Sequence, residues 1–186
     1  MSRLKVAFVG SHGVGKTTLC YGLAARLKAR DTVLDIVHEV ARRCPLPINE
    51  ETSRAAQAWI LHTQIADELL ATARHPVVIC DRSVLDNYVY LLLASGRDPM
   101  LDSLVDGWLA TYDLLVHVPI LAPLQADGTR AVDPAFQQAV DDRLRRELAE
   151  RKVSVRWLDP TARERWLDEV ADEIRDRVAP PQLPLL

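Results

Sequence analysis

Eight consecutive residues, Gly10-Ser11-His12-Gly13-Val14-Gly15-Lys16-Thr17, fit the spacing G-x-x-x-x-G-K-[ST]. The chemistry that this spacing permits is the holding of a phosphate chain. Glycines let backbone N–H groups turn inward around phosphate oxygens, and a helix starting at the end of the loop aims its positive end at the same anion. Lys16 is placed to reach the β and γ phosphates of a nucleotide. Thr17 is placed to ligate Mg2+, a hard cation that takes oxygen ligands and keeps several of its waters. Thr18 supplies a second hydroxyl with a weaker claim on the metal. His12 stands at a position where the pattern asks nothing of a side chain, so its expected contribution is its backbone.

A second group of residues offers acid, base and positive charge. The run Val77-Val78-Ile79-Cys80 is apolar and ends in Asp81-Arg82-Ser83. As a buried strand it would deliver Asp81 and Arg82 to the carboxyl edge of a sheet, where ligands bind in open α/β proteins. Asp81 is the expected second ligand of Mg2+, directly or through water, and Arg82 is expected to neutralise phosphate charge or to position an acceptor. A hydrolase commonly places a second acid here to orient water. Arg82 in its stead favours transfer to an acceptor other than water. Glu39, in His38-Glu39-Val40-Ala41-Arg42, is the expected base for the proton of an attacking hydroxyl. Arg130, in Asp127-Gly128-Thr129-Arg130, lies on a long loop and is the expected lid arginine, meeting charge that develops on the transferred group. Arg143, Arg145 and Arg146 read as a solvated helix face, with Arg143 and Glu147 paired four residues apart.

The elements that must hold these residues follow from hydrophobic period. Short apolar runs alternate with longer segments of helical period, which predicts an α/β fold with a parallel sheet covered on both faces. Strands are expected at Leu4 to Val9, Val33 to Val37, Pro76 to Cys80, Leu114 to Val118 and Val153 to Leu158. Helices are expected from Thr17 to Arg30, from Thr52 to Arg74, from Val84 to Ala94, from Asp102 to Ala110, from Pro134 to Glu150 and from Thr161 to Val178. In the second helix Leu61, Ile65 and Leu69 share one side, with Thr52 or Ser53 as the cap. Pro119, Pro123 and Gly128 make 119–133 a loop, and the lid is expected over about 121–146. One domain over 1–179 is predicted, with a tail at 180–186 that Pro180 keeps from extending the last helix.

Bulk properties set the limits. With 186 residues, 48% hydrophobic and 26% charged, the composition is that of a globular chain. A net charge of −3 advertises no basic footprint, so nucleic acid is a disfavoured partner. Cys20, Cys44 and Cys80 are odd in number and far apart, which fits neither a disulfide framework nor a zinc site and predicts a cytoplasmic setting. No apolar run reaches the 18 residues that suggest a membrane span.

These motifs together resemble the nucleoside and nucleotide kinase branch of the P-loop superfamily. GSHGVGKT is similar to its Walker A loop, and HEVAR to the segment after strand two in bacterial domains related to nicotinamide riboside kinase. DRS is similar to the strand-three motif of deoxynucleoside and thymidylate kinases, although Asp81 stands where deoxynucleoside kinases carry a glutamate. DGTR occupies the lid position, as in the nicotinamide riboside kinase group. The resemblance implies a three-layer P-loop NTPase fold, with a five-stranded parallel sheet in order 2-3-1-4-5 and a lid. It also implies an acceptor lying between Glu39, Asp81 and the region of Gln57. By the same likeness Gln57 or Gln64 reads the acceptor's base, with Arg54 nearby. The expected activity is ATP-dependent phosphoryl transfer, with Mg2+, to a small nucleoside- or nucleotide-type acceptor. ATP is favoured over GTP because the N-K-x-D motif is absent. A kinase of a modified base or end in nucleic acid, or a nucleotide-dependent regulatory switch, stands as the alternative, and a homodimer remains open.

Overall fold

The computed structural model describes residues 3–48, 51–121 and 133–178. Strands β1 (Leu4–Val9), β2 (Leu34–Val37), β3 (Val77–Cys80), β4 (Leu114–His117) and β5 (Arg156–Trp157) form one sheet in the order β2-β3-β1-β4-β5. Each neighbouring pair is parallel. Helices α1 (Lys16–Lys28) and α6 (Trp166–Val178) pack together over one face, while α2 (Arg54–Arg74), α3 (Val84–Ser95), α4 (Pro99–Leu109) and α5 (Pro134–Glu150) cover the other. The alternation of β1 explains the two layers. Leu4, Val6 and Phe8 enter the core beneath α1 and α6, whereas Ala7 and Val9 enter the core beneath α3.

The strands of the sheet centre are buried on both faces and mostly apolar, with Lys5 and His117 as the polar exceptions. The wetter reading of the last strand holds, but only Arg156 and Trp157 pair with β4, and both are exposed. Ser53 caps α2 by accepting from the Ala56 amide. The expected apolar side of α2 needs correction. Leu61 is buried, but Leu69 is 55% exposed, and the inward side carries Gln57, Gln64 and Glu68. Period alone could not reveal a buried face made partly of polar residues.

From Pro134 onward, the segment expected as part of a lid is α5, whose Val140, Leu144 and Leu148 lie in the core. Arg143 does pair with Glu147 at 2.8 Å, yet Glu147 is fully buried, so this helix face is not simply solvated. Residues 122–132, Arg130 among them, lie outside the described residues, as does the tail at 180–186.

The cysteines divide by position. Cys20 and Cys80 are buried against one another's segments, with the Cys20 Sγ 3.8 Å from the Cys80 carbonyl, while Cys44 ends the 3-10 turn Val40–Arg43 and is half-buried.

Candidate active site

The phosphate loop leaves β1 through Gly10, whose φ is +148° and whose missing Cβ would stand 2.7 Å from the Val118 carbonyl oxygen. Any other residue would force β1 and β4 apart there. The Gly10 amide donates to Asp86 Oδ1 at 2.8 Å, and Asp86 Oδ2 accepts from the Ser83 amide and hydroxyl, closing the capping box of α3. One carboxylate therefore ties the start of the loop to the start of α3.

At the other end of the loop, Gly15 (φ +95°) caps α1 without a side chain, so the first N–H groups of the helix are left for a ligand. Ser11 Oγ is buried and has no protein partner. Lys16 folds back, donating to the carbonyls of Gly10 and Ser11 at 2.6 Å each. Burial first, and then the Arg82 charge, lower its amino group to about 8. A buried orphan hydroxyl, free amides and a lysine on backbone carbonyls suit a phosphate chain, which would satisfy all three. Thr18, by contrast, is exposed on α1.

Because β3 pairs directly with β1, Asp81 emerges beside Thr17, and the Thr17 hydroxyl donates to Asp81 Oδ2 at 2.6 Å. Burial raises the Asp81 carboxyl above its ordinary value, against the opposing Thr17 bond. Two hard oxygens in contact at a helix N-terminus fit Mg2+ shared with phosphate and water. Among the described residues no cluster of three or more acidic, histidine or cysteine side chains forms a cage for a metal. The donor set thus suits a cation delivered with its nucleotide.

Arg82 points from the next residue into a pocket bounded by His12, Glu39, Arg42, Gln57, Asn87 and Tyr90, with Ile48 and Ile60 as apolar wall. Glu39 Oε1 accepts from Arg82 Nε at 2.8 Å and Nη2 at 2.7 Å, and Oε2 accepts from Arg42 Nε at 2.7 Å. Burial alone would raise the Glu39 carboxyl, but Arg82, Lys16 and Arg42 outweigh it and hold the group at about 2. Burial likewise opposes the charge of Arg82, and Glu39 more than restores it, raising the guanidinium above its usual value. The remaining Arg82 Nη1 is buried with no hydrogen-bond partner in the protein, and its guanidinium lies 5.7 Å from the Tyr90 ring. Gln57 donates through Nε2 to Thr52 Oγ1 at 2.8 Å, while its Oε1 is buried and unpartnered. The pocket therefore has an unused donor at Arg82 Nη1 and an unused acceptor at Gln57 Oε1.

The expected site residues among those described do not all meet. Lys16, Thr17, Glu39, Asp81, Arg82 and Gln57 converge on the loop and pocket. Gln64 is buried deeper, with Nε2 donating to Glu68 Oε1 at 2.9 Å and to the Arg82 carbonyl at 2.8 Å, so it supports the wall from behind and does not line the pocket. Arg54 is largely exposed and pairs with Asp98 at the start of α4, away from the pocket lining. His12 contributes more than backbone: its ring is buried, with Nδ1 3.2 Å from the Tyr90 hydroxyl and its centroid 5.9 Å from that of Phe136. Its carbonyl accepts from Gln137 Nε2 at 2.7 Å, which ties α5 to the loop. Sequence reasoning missed Asp86, Asn87, Tyr90 and Arg42. Of these, Asp86 had a visible signal in the spacing Ser83-x-x-Asp86, and Asn87 with Tyr90 in their three-residue spacing on one helix.

Strand order, the loop between β1 and α1, and Asp81 beside Thr17 define a P-loop NTPase fold. A family model described as an AAA domain matches residues 5–165, and the chain belongs to that family. No curated protein matches the sequence. Solved structures share the fold at low identity. Deoxyadenosine kinase from M. mycoides with bound dATP superposes with a TM-score of 0.63 at 14% identity, covering 93% of this chain and 100% of the kinase. The same enzyme with dCMP and dCDP gives 0.60 at 14%, covering 94% and 98%. The NadR protein in complex with NR gives 0.70 at 21%, with 99% of this chain covered but only 54% of NadR, so the chain spans about half of that protein.

Proposed function

We propose that the chain is an ATP-dependent phosphotransferase whose acceptor is a small nucleoside- or nucleotide-type molecule. The observation that carries this reading is the Glu39–Arg82 pair, buried in the wall between the phosphate loop and the pocket. A hydrolase needs a water-orienting group at this point, whereas a pocket with its own carboxylate, guanidinium and amides suits a molecule with a hydroxyl and a polar ring. The likeness of fold to a deoxyadenosine kinase and to NadR supports the same class of acceptor.

In this reading Lys16 leaves the Gly10 and Ser11 carbonyls for phosphate oxygens. Thr17 and Asp81 would hold Mg2+, which when bound neutralises charge on the donor phosphates. Arg82 Nη1 supplies a hydrogen bond where charge grows between donor and acceptor. As the acceptor oxygen bonds to the γ phosphorus, the bond to ADP breaks and the hydroxyl proton passes to Glu39. Both Glu39 oxygens are occupied by arginines at rest, so one must yield to the acceptor. Arg42, half-exposed, is the freer of the two. Arg130, outside the described residues, is proposed to meet charge on the transferred group. Among the described residues no helix is long and apolar enough to cross a membrane, and the cytoplasm is the setting proposed.

The test is transfer of label from γ-labelled ATP with Mg2+ to nucleosides, nucleoside monophosphates and nicotinamide riboside. Transfer to one of these is expected. Hydrolysis without transfer to any of them would sink the kinase reading and favour a nucleotide-driven switch.

A further inference from the structure

Nothing in the transfer chemistry uses Glu68, yet this carboxylate is wholly buried on α2 and accepts from four donors. Oε2 takes Lys5 Nζ at 2.9 Å and Trp108 Nε1 at 2.7 Å. Oε1 takes Gln64 Nε2 at 2.9 Å and the Tyr112 hydroxyl at 2.7 Å. Burying an ion pair seldom stabilises a fold more than apolar side chains of the same volume would. What such a cluster does provide is fixed geometry, provided every member is satisfied.

Two of the donors lead to the segment that carries Arg82. Gln64 Nε2 also donates to the Arg82 carbonyl at 2.8 Å, and Gln64 Oε1 accepts from Asn87 Nδ2 in the pocket wall. The Tyr112 hydroxyl, while donating to Glu68, accepts from the Val84 amide at 3.1 Å. Burial and then the Glu68 charge push that phenol well above its ordinary value, which keeps it a donor. The backbone from Arg82 to Val84 is thus held on both sides by groups that themselves hang on one carboxylate. Lys5 and Trp108 do not touch this segment. Lys5 instead reaches Thr111 Oγ1 at 2.5 Å and lies over the rings of Trp108 and Tyr112.

We propose that Glu68 is a positioning residue that, through Gln64 and Tyr112, fixes Arg82 and Asn87 in the acceptor wall. The inference rests on the transfer reading above. Glu68 presents only acceptors to four donors, so an amide in its place would turn an N–H toward at least one of them.

The experiment compares Tyr112→Phe with Trp108→Phe in the full chain. Each deletes one donor to Glu68, but only Tyr112 reaches Val84. Two readouts are taken: acceptor kinetics normalised to ATP-binding sites, and hydrogen exchange of the Val84 amide. Tyr112→Phe should lower kcat/KM for the acceptor about tenfold and speed Val84 exchange, since small misplacements of a reacting group are costly. The ATP dissociation constant should stay within about twofold, because uniform binding of the donor is untouched. Trp108→Phe should lower the melting temperature without changing either readout. Equal effects of the two variants, wild-type behaviour of Tyr112→Phe, or faster exchange with unchanged acceptor kinetics would each overturn the inference. Should Tyr112→Phe fail to fold, Gln64→Met keeps the volume and removes all three amide contacts, with the same pattern expected. If the wild-type chain transfers no phosphoryl group, the kinase reading falls, and Val84 exchange still decides whether Tyr112 holds the segment.

Discussion

The phosphate loop and the pocket wall adjoin in space but are built in opposite ways. The loop is eight consecutive residues that offer backbone N–H groups and one lysine, and its geometry comes from glycines and a strand-to-helix turn. The wall is gathered from the segment after β2, from α2, from the end of β3 and from α3, and it acts through side chains whose partners are other side chains. A site made of backbone needs few residue identities. A site made of side chains needs every supporting contact, and its specificity is spread over residues that never touch a ligand.

That contrast can be broken experimentally. The largest expected effect is Lys16→Ala, which should reduce transfer about 10³-fold, the scale of losing one preorganised charge at a phosphate. Its melting temperature should change little, since the lysine is buried at a cost that lowers its own amino group. Equal loss of fold and turnover would show the loop to be a structural turn. Next comes Glu39→Gln, expected to slow transfer about 10²-fold because an amide cannot take the proton. It also strips the buried Arg82 of its counter-charge, so the melting temperature should fall while ATP still binds the folded fraction. Unchanged transfer would remove Glu39 as the base.

Smaller still is Gln57→Leu, which should raise the acceptor KM about tenfold with kcat largely retained, the cost of one lost buried hydrogen bond. An unchanged KM would mean that the unused amide oxygen reads nothing. The smallest effect is one of pH. The amino group of Lys16 titrates near 8 in the folded chain against 10.5 ordinarily, so the unfolded chain binds more protons in that window. Stability of the ligand-free protein should therefore rise as pH climbs from about 8 toward 10.5, as the cost of the buried charge is relieved. Phosphate favours the ammonium form, so the thermal shift produced by ATP with Mg2+ should shrink over the same range. Lys16→Arg should abolish both trends, and their persistence would assign them to another group.

How much of this was legible follows the same division. The loop, β1, α1 and a hydroxyl cap at Thr52 or Ser53 could be read because each is a local pattern of glycine, apolar period or hydroxyl. Asp81 and Arg82 could be read because a strand end has a fixed place at the sheet edge. The buried side of α2 could not, since Gln57, Gln64 and Glu68 look like a solvent face until Lys5, Tyr112 and Trp108 arrive from forty or more residues away. Arg54 illustrates the converse, a plausible charge close to Gln57 in sequence that turns outward to Asp98. The strand order entered through resemblance, because apolar runs do not announce which of them are neighbours.

The unequal burial of the three cysteines has a practical consequence. Cys20 and Cys80 lie inside the core beneath the loop, with thiols that burial pushes well above their ordinary range. Cys44 is reachable and follows directly on the turn that carries Ala41 and Arg42 to the pocket. A thiol-directed fluorophore would therefore attach at one position of the unaltered chain, two residues from Arg42 in the pocket wall. The protein carries its own attachment point for watching its pocket fill.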